Sequence, residues 1–209
     1  MRIAVIGATG RTGRHIVEQA LGQGDDVVAF ARTPETLGFV HPRLQAVAGD
    51  VRDVSSLRRA VKGCDAVASA IGDKPASRVD TYSVGIANLM EAMAEHDVMR
   101  LAAISAAGTF ARNDRNLSAG YRLMMRAVLR GLYDDLERME TRIMASGMQW
   151  TIVRPSGLTD GPQTGEYRVG LDGKPLSAGG RISRADVAGY TLKSLKVDTW
   201  VGRAVTLAY

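Results

Sequence analysis

The sequence predicts an α/β fold in which a doubly wound, mostly parallel sheet lies between two helical layers, an α/β/α sandwich. Short apolar runs typical of buried strands alternate with segments whose apolar residues recur at helical spacing. A glycine-rich turn, Gly7–Gly13, separates the first apolar run from the first helical segment. The sequence has no internal repeat or linker, so we expect one domain over residues 1–209.

The first half of the chain alternates strand and helix. Ile3–Ile6 is a short, branched run that ends at Gly7, and it is predicted as the first strand. A helix over residues 13–22 follows, because its apolar side chains share one face and glycines end it. Further strands are predicted at Val27–Ala31, Leu44–Ala48 and Ala66–Ile71, and further helices over residues 55–61 and 82–96.

The second half continues the alternation and then loosens. Strands are predicted at Val98–Ile104 and Trp150–Val153, with a helix near residues 134–146 between them. Residues 161–180 are predicted as loop with a brief strand around 167–169. Ser183 is predicted to cap a last helix, and Val205–Leu207 to close the chain as a strand. We expect residues 155–209 to cover the substrate side of the sheet.

Composition and charge limit the classes of protein to which the chain can belong. With 45% hydrophobic and 23% charged residues, the chain can bury a core. The net charge of +5 fits a polyanionic cofactor, and we expect no nucleic-acid partner. The single cysteine, Cys64, fits a reducing compartment, and no apolar run approaches the ~20 residues of a membrane span. We expect a cytoplasmic protein, monomeric or weakly dimeric, that acts on a small molecule.

Two groups of charged residues lie in the middle of the chain. The basic group, opposed there only by Asp114, is Arg100, Arg112, Arg115, Arg122, Arg126 and Arg130. The acidic group, at helical spacing, is Asp134, Asp135, Glu137 and Glu140. Both are interpreted as solvated faces; an anion-steering rim is the alternative for the arginines. The three histidines and Cys64 are scattered, so no metal site is predicted.

The loop Gly7–Gly13 has the spacing of a dinucleotide-binding turn. Gly7 permits a tight turn, Gly10 lets the backbone approach a pyrophosphate, and Gly13 lets helix and strand pack closely. The N-terminus of the helix then directs N–H groups and a partial positive charge at the phosphates. Further donors in the loop are the side chains of Thr9, Arg11 and Thr12. The position of the loop between strand and helix predicts a Rossmann-type site.

The end of the second strand favours NADP over NAD. An acidic residue there would bind the ribose hydroxyls, whereas an arginine accommodates the 2′-phosphate, and this chain has Arg32. Arg11 and Arg14 can approach the same phosphate. Asp25 and Asp26 precede the strand, at its wrong end.

Five further residues are predicted to contact the cofactor. Asp50, after the third strand, can accept from the adenine amino group, with the backbone of Val51 alongside. The alternative is that Asp50 caps the next turn. Small residues at the end of the fourth strand allow the cofactor to pass closely, and these are Ala70, Ile71 and Gly72.

Together these motifs resemble the atypical branch of the short-chain dehydrogenase/reductase superfamily, near its biliverdin-IXβ/flavin reductase group. The segments Ser146–Pro155, Thr164–Val169, Leu171–Gly173 and Arg181–Ser183 extend the resemblance over nearly the whole chain. The resemblance implies an NADPH-dependent oxidoreductase with Pro155 beside the cofactor. It also implies that Ser105, after the fifth strand, is the catalytic residue that bonds the nicotinamide or the acceptor.

The chain departs from the superfamily at the proton relay Tyr-x-x-x-Lys. Tyr121 is followed four residues later by Met125, and Tyr133 by Glu137, so no lysine lowers the pKa of either tyrosine. The proton would come from water, directly or through Ser105. This favours a small planar or carbonyl-bearing substrate of flavin or quinone type, which needs mainly positioning near the nicotinamide.

Two alternatives stay open. A non-catalytic NADP(H)-sensing protein would also lack the relay, and the arginine-rich segment 112–130 would then be its partner surface. A sugar-nucleotide epimerase is less favoured, because such enzymes keep the Tyr-Lys pair and carry a larger C-terminal region. Biliverdin itself is disfavoured as a substrate, because Gly157 stands where the reductase group has a histidine.

Overall fold

The computed structural model describes residues 1–72, 80–109, 130–171 and 180–209. The strands are β1 (Arg2–Ile6), β2 (Asp26–Ala31), β3 (Leu44–Ala48), β4 (Ala66–Ser69), β5 (Arg100–Ile104), β6 (Gln149–Pro155), β7 (Gly157–Thr159), β8 (Arg168–Leu171), β9 (Arg181–Ser183) and β10 (Arg203–Ala208). The helices are α1 (Arg11–Gly22), α2 (Val54–Val61), α3 (Thr81–Glu95), α4 (Arg130–Met144) and α5 (Arg184–Leu195), with short 3-10 helices at Pro34–Leu37 and Asp198–Trp200. Every predicted element is found, with ends shifted by a few residues.

The main sheet has the predicted doubly wound, mostly parallel form. Its strands in the described residues follow the order β3-β2-β1-β4-β5-β6-β10-β8. Neighbouring strands are parallel except β8, which runs antiparallel to β10. The chain passes from β3 back across to β4, so the direction of winding reverses between β1 and β4.

Helices cover both faces of the sheet, and β1 shows how its residues divide between them. Ile3 and Val5 belong to the apolar cluster of α1 and α5, whereas Ala4 and Ile6 belong to that of α2, α3 and α4. This alternation is the period of a strand buried on both sides. The three-layer arrangement is therefore confirmed. Within the described residues no helix is both long and apolar enough to cross a membrane.

The region after β6 holds pairing that the sequence did not predict. β7 and β9 form a small parallel sheet, with Leu158 opposite Ile182. The cap prediction is confirmed, because the Ser183 hydroxyl accepts from the backbone N–H of Asp186 at 3.0 Å and α5 begins there. Cys64 is buried, and burial raises the pKa of its thiol.

Two predictions of solvated charge are wrong. Asp135 is 1% exposed and accepts from the backbone N–H groups of Tyr82 and Ser83, at 2.8 and 3.3 Å, at the start of α3. Arg100 is 7% exposed and donates to the carbonyl oxygens of Gln149 and Ser194. Both side chains satisfy backbone groups of neighbouring elements. The arginines at 112, 115, 122 and 126 lie outside the described residues, as do Tyr121 and Met125.

Candidate functional site

A cleft of about 350 Å³ opens at the carboxyl ends of β1–β4, where the winding reverses. It is lined by Gly7, Phe30, Ala31, Arg32, Gly49, Asp50, Val51, Arg52, Ile71, Gly72 and Thr81. Six predicted cofactor residues therefore meet in one place: Gly7, Arg32, Asp50, Val51, Ile71 and Gly72. In open α/β sheets this crevice is where ligands bind.

The glycine loop is shaped by close backbone approaches. Gly7 has φ +80°, and a Cβ there would lie 2.4 Å from the carbonyl oxygen of Ala70. A Cβ on Gly13 would lie 2.1 Å from the carbonyl oxygen of Gly7, the residue after β1, so the helix packs closely on the end of the strand, as predicted. Gly10 is the N-cap of α1 and has no side chain to bond the first turn. The first N–H groups of the helix are therefore left for a ligand.

The rest of the loop is open to solvent in part. Thr9 and Thr12 are half-buried, and Gly10 and Arg11 are exposed. Arg11 forms an ion pair with Asp160, which follows β7 and also pairs with Arg184 at 2.6 Å. Arg11 therefore links the loop to the region after β6.

The rim of the cleft at the end of β2 carries Arg32, which is exposed. Arg14, predicted beside it, instead donates to the carbonyl oxygen of Leu37 at 2.5 Å and pairs with Glu18 at 3.0 Å. The acids of β2 lie at its opposite end. Burial raises the pKa of Asp25, but hydrogen bonds and charge from Lys196 and the chain's amino terminus outweigh it and lower the pKa below its usual value.

Asp50 caps a turn, as the alternative prediction had it, and it also lies in the cleft where the adenine contact is predicted. Its Oδ1 accepts from the backbone N–H of Arg52 at 2.9 Å. The carbonyl oxygen of Val51 accepts from Asn88 at 3.0 Å. The α2 helix has its own cap, Asp53, whose side chain accepts from the backbone N–H of Ser55 at 3.0 Å.

Sequence reasoning missed Arg52. Arg52 lines the cleft, and its guanidinium forms an ion pair with Asp80, the N-cap of α3. No local signal distinguishes Arg52 from an ordinary surface arginine, because Asp80 lies 28 residues further along the chain. The cleft therefore holds one arginine paired to an acid, Arg52, beside the exposed Arg32.

A second group of polar residues lies at the carboxyl ends of β5 and β6. Ser105 is 8% exposed, and its Oγ donates to Oε1 of Glu140 at 2.5 Å. Glu140 is fully buried and also accepts from Arg154, from Nε at 3.1 Å and Nη2 at 2.5 Å. The hydroxyl of Thr109 lies 3.2 Å from that of Ser105 and donates to the carbonyl oxygen of Ala106 at 2.8 Å.

The prediction that Glu140 lies on a solvated face is therefore wrong. The signal that could have corrected it is the spacing of α4, since Leu136, Met139 and Ile143 are all buried. Glu140 falls inside that apolar stripe, where an acid needs a buried partner. Arg154, 14 residues later on β6, is that partner.

Pro155 and Tyr133 complete this end of the site. The carbonyl oxygen of Pro155 accepts from the backbone N–H of Ala107 at 2.9 Å, so the turn after β5 is tied to the end of β6. Tyr133, on α4, packs on the same turn: a Cβ on Gly108 would lie 2.6 Å from its hydroxyl oxygen. The structure thus places a tyrosine against the turn that follows Ser105, although Glu137 follows it where the relay has lysine.

A glycine cradle at a helix N-terminus, at the switch point of a doubly wound sheet, defines a Rossmann-type dinucleotide-binding protein. The sequence model of the NAD(P)H-binding family matches residues 7–198, and the chain belongs to this family. This match confirms the predicted NAD(P)-binding Rossmann-type protein, and solved structures described as a short-chain dehydrogenase/reductase and as an epimerase/dehydratase share its fold at 15–20% identity.

Three known proteins illustrate the similarity. An uncharacterized chloroplastic protein of Arabidopsis thaliana is 33% identical over 93% of this chain and 71% of its own length. The uncharacterized sugar epimerase YhfK of Bacillus subtilis is 27% identical over 99% of this chain and 94% of its own. A Veillonella parvula short-chain dehydrogenase/reductase, solved with NADP, shares the fold with a TM-score of 0.82 at 16% identity, over 100% of this chain and 94% of its own.

Proposed function

We propose that the chain is an NADPH-dependent reductase of a small planar or carbonyl-bearing molecule, with flavins and quinones as the acceptor class. The observation that carries this proposal is Arg32 on the rim of the cleft, with the acids of β2 at the opposite end of the strand. A carboxylate in place of Arg32 would repel a 2′-phosphate, whereas a guanidinium pairs with it. When bound, the cofactor supplies the hydride.

The acceptor class follows from the source of the proton. Tyr133 lies beside the turn after Ser105, but Glu137 stands four residues later, where the relay has lysine. Tyr121 and Met125 give the same pattern in sequence. Acceptors whose reduced anions can take a proton from water afterwards suit such a site, and simple ketones do not.

The test is consumption of NADPH by the purified chain with FMN, with a soluble quinone and with an aliphatic ketone. We expect turnover with the first two and none with the ketone. Tyr121→Phe and Tyr133→Phe should keep most of the turnover, whereas Ser105→Ala should lose about 10- to 100-fold. A large loss in either phenylalanine variant, in folded protein that still binds NADPH, would restore a tyrosine mechanism.

The second candidate is a non-catalytic NADP(H)-sensing protein, favoured by the same missing lysine. The assay separates the two: a sensor binds NADPH with measurable affinity but consumes it with no acceptor. Because one relative is named a sugar epimerase, a sugar nucleotide should be incubated with the chain in parallel. We expect it to remain unchanged.

A further inference from the structure

The buried contact of Ser105 with Glu140 fixes which partner donates. Glu140 is held by Arg154, whose guanidinium has donors only, so its carboxylate acts as the acceptor in each contact. At 2.5 Å, Ser105 must therefore be the donor to Glu140. All three side chains are at most 8% exposed, so water competes little for these bonds.

Ser105 then has no second proton to offer. A hydroxyl carries one hydrogen and two lone pairs. The nearby hydroxyl of Thr109 donates to the carbonyl oxygen of Ala106 at 2.8 Å, so it does not require a proton from Ser105. What Ser105 presents to a ligand at the end of β5 is a lone pair.

We propose that Glu140 is a specificity-determining positioning residue, which holds Ser105 as a hydrogen-bond acceptor toward the bound ligands. This inference rests on the proposed function, because it takes Ser105 as a residue of the nicotinamide half of the site. The ligand group selected is an N–H or O–H donor. It has two possible sources: the carboxamide amino group of the nicotinamide, or a donor group on the electron acceptor.

The proposal also changes the role expected of Ser105 in proton transfer. The sequence left open that Ser105 relays a proton from water to the reduced product. With its hydrogen directed at Glu140 and Glu140 held by Arg154, Ser105 does not donate to the product. The proton arrives from water without this hydroxyl.

Glu140→Gln inverts the arrangement with almost no change in shape. Because Arg154 has donors only, the amide oxygen will face Arg154 and the amide N–H₂ group will face Ser105. Ser105 then accepts from Gln at position 140, and its own hydrogen turns to the ligand. A residue with a merely structural role would weaken all ligands alike, whereas this variant should remove a preference between two ligands.

The cofactor arm of the experiment needs no turnover. It compares the affinities of NADPH and its 3-acetylpyridine analogue, which keeps the carbonyl but lacks the amino group, by calorimetric titration. If the carboxamide is the source, we expect wild type to prefer NADPH by about 3- to 10-fold. Glu140→Gln and Ser105→Ala should both remove that preference. Glu91→Gln is the matched control, since Glu91, on α3, forms an exposed ion pair with Arg58 of α2 and undergoes the same change.

The acceptor arm compares turnover of a quinone that has ring carbonyls only with that of a hydroxylated quinone of similar potential. A preference for the hydroxylated quinone that Glu140→Gln removes, with the cofactor preference unaffected, assigns the donor to the acceptor molecule. Preferences unchanged in both arms, in folded Glu140→Gln, overturn the proposal.

Ser105→Ala keeps the test decisive if Glu140→Gln does not fold, because it leaves the Glu140–Arg154 pair intact. Retention of the wild-type preferences by Ser105→Ala also overturns the proposal. The failure of the proposed function is a different result: NADPH binds but no acceptor is reduced, and the cofactor arm still reports on Glu140.

Discussion

The cleft at the carboxyl ends of β1–β4, where we predict that the adenine binds, is called the adenine end, and the cluster of Ser105, Glu140 and Arg154, the proposed site of the reaction, is called the reaction end. The two ends differ in the groups that form them. At the adenine end, the cleft between β1 and β4 is shaped by backbone and small residues, with Gly7 and Gly13 in contact with neighbouring carbonyl groups. Arg32, on its rim, is exposed. At the reaction end, the polar groups are buried side chains that bond to one another: Ser105, Glu140 and Arg154.

Because of this difference, we expect substitutions at the two ends to have different effects. Exposed groups and empty space at the adenine end contribute to binding but little to folding. The buried ion pair at the reaction end belongs to the core, so removing one partner leaves a desolvated charge behind. Substitutions at the adenine end should therefore cost affinity, and those at the reaction end stability, and each prediction below tests one side of this division.

The largest effect is expected for Glu140→Ala. It leaves the buried guanidinium of Arg154 without its carboxylate partner, and we expect the free energy of unfolding to fall by about 3–5 kcal/mol. Urea denaturation at neutral pH measures it. Glu91→Ala, which removes an exposed partner of Arg58, should cost about 0–1 kcal/mol. Equal losses for the two variants would show that the buried pair contributes no more to stability than an exposed ion pair does.

Gly10→Val should lose dinucleotide binding at least about 100-fold, because the branched side chain occupies the approach of the pyrophosphate. The fold should survive: Gly10 has extended backbone angles, and its Cβ would lie 3.1 Å from the carbonyl oxygen of Gly7. Gly13→Val is the contrasting variant, since a Cβ at 2.1 Å from the same oxygen cannot be accommodated. Circular dichroism and calorimetric titration report on fold and binding. If Gly10→Val still binds NADPH, the phosphates lie elsewhere.

Arg32→Ala should weaken NADPH about 10- to 100-fold and scarcely affect NADH, because a charge-assisted hydrogen bond to the 2′-phosphate is lost. Arg52→Ala sharpens the comparison within the cleft. Arg52 is already paired with Asp80, so we expect it to affect both cofactors equally. Calorimetric titration of each cofactor against each variant measures the ratio. Parallel losses in Arg32→Ala would remove the basis for NADP preference.

An effect on stability alone is expected at Asp186, in the region after β6. Burial raises the pKa of Asp186, but hydrogen bonds from Tyr209, Gly165 and Thr164 outweigh it and lower the pKa below its usual value. A carboxyl whose pKa is lowered by folding stabilises the fold above its unfolded pKa, about 3.9, and loses that contribution as pH falls through the folded value.

Asp186→Asn should therefore destabilise the chain at pH 7, by about 1–3 kcal/mol for a buried acceptor that loses its charge. The difference from wild type should shrink as the pH falls below about 4. Urea denaturation of both proteins across that range measures it. A difference that is independent of pH would mean that the carboxylate charge does not contribute.

Much of the adenine end could be predicted from the sequence because it is encoded locally. The glycines at 7, 10 and 13 lie within one turn between a strand and a helix, so their spacing carries the backbone geometry directly. Arg32, Asp50 and Ile71 each follow a strand by a residue or two. Once the strands are recognised as parallel, their carboxyl ends must meet at one edge of the sheet, which is why these residues share a cleft.

Only the tertiary structure decided the reaction end. The periodicity of α4 specifies a helix, but an acid at helical spacing has the same local pattern whether it faces water or an arginine on another strand. The partners of Glu140 come from β6 and from the turn after β5, and Asp135 bonds the start of α3. The pairing of β7 with β9 likewise joins segments 24 residues apart. The sequence by itself determined where the chain turns and which residues end its strands, whereas burial of charge depends on partners that only packing brings together.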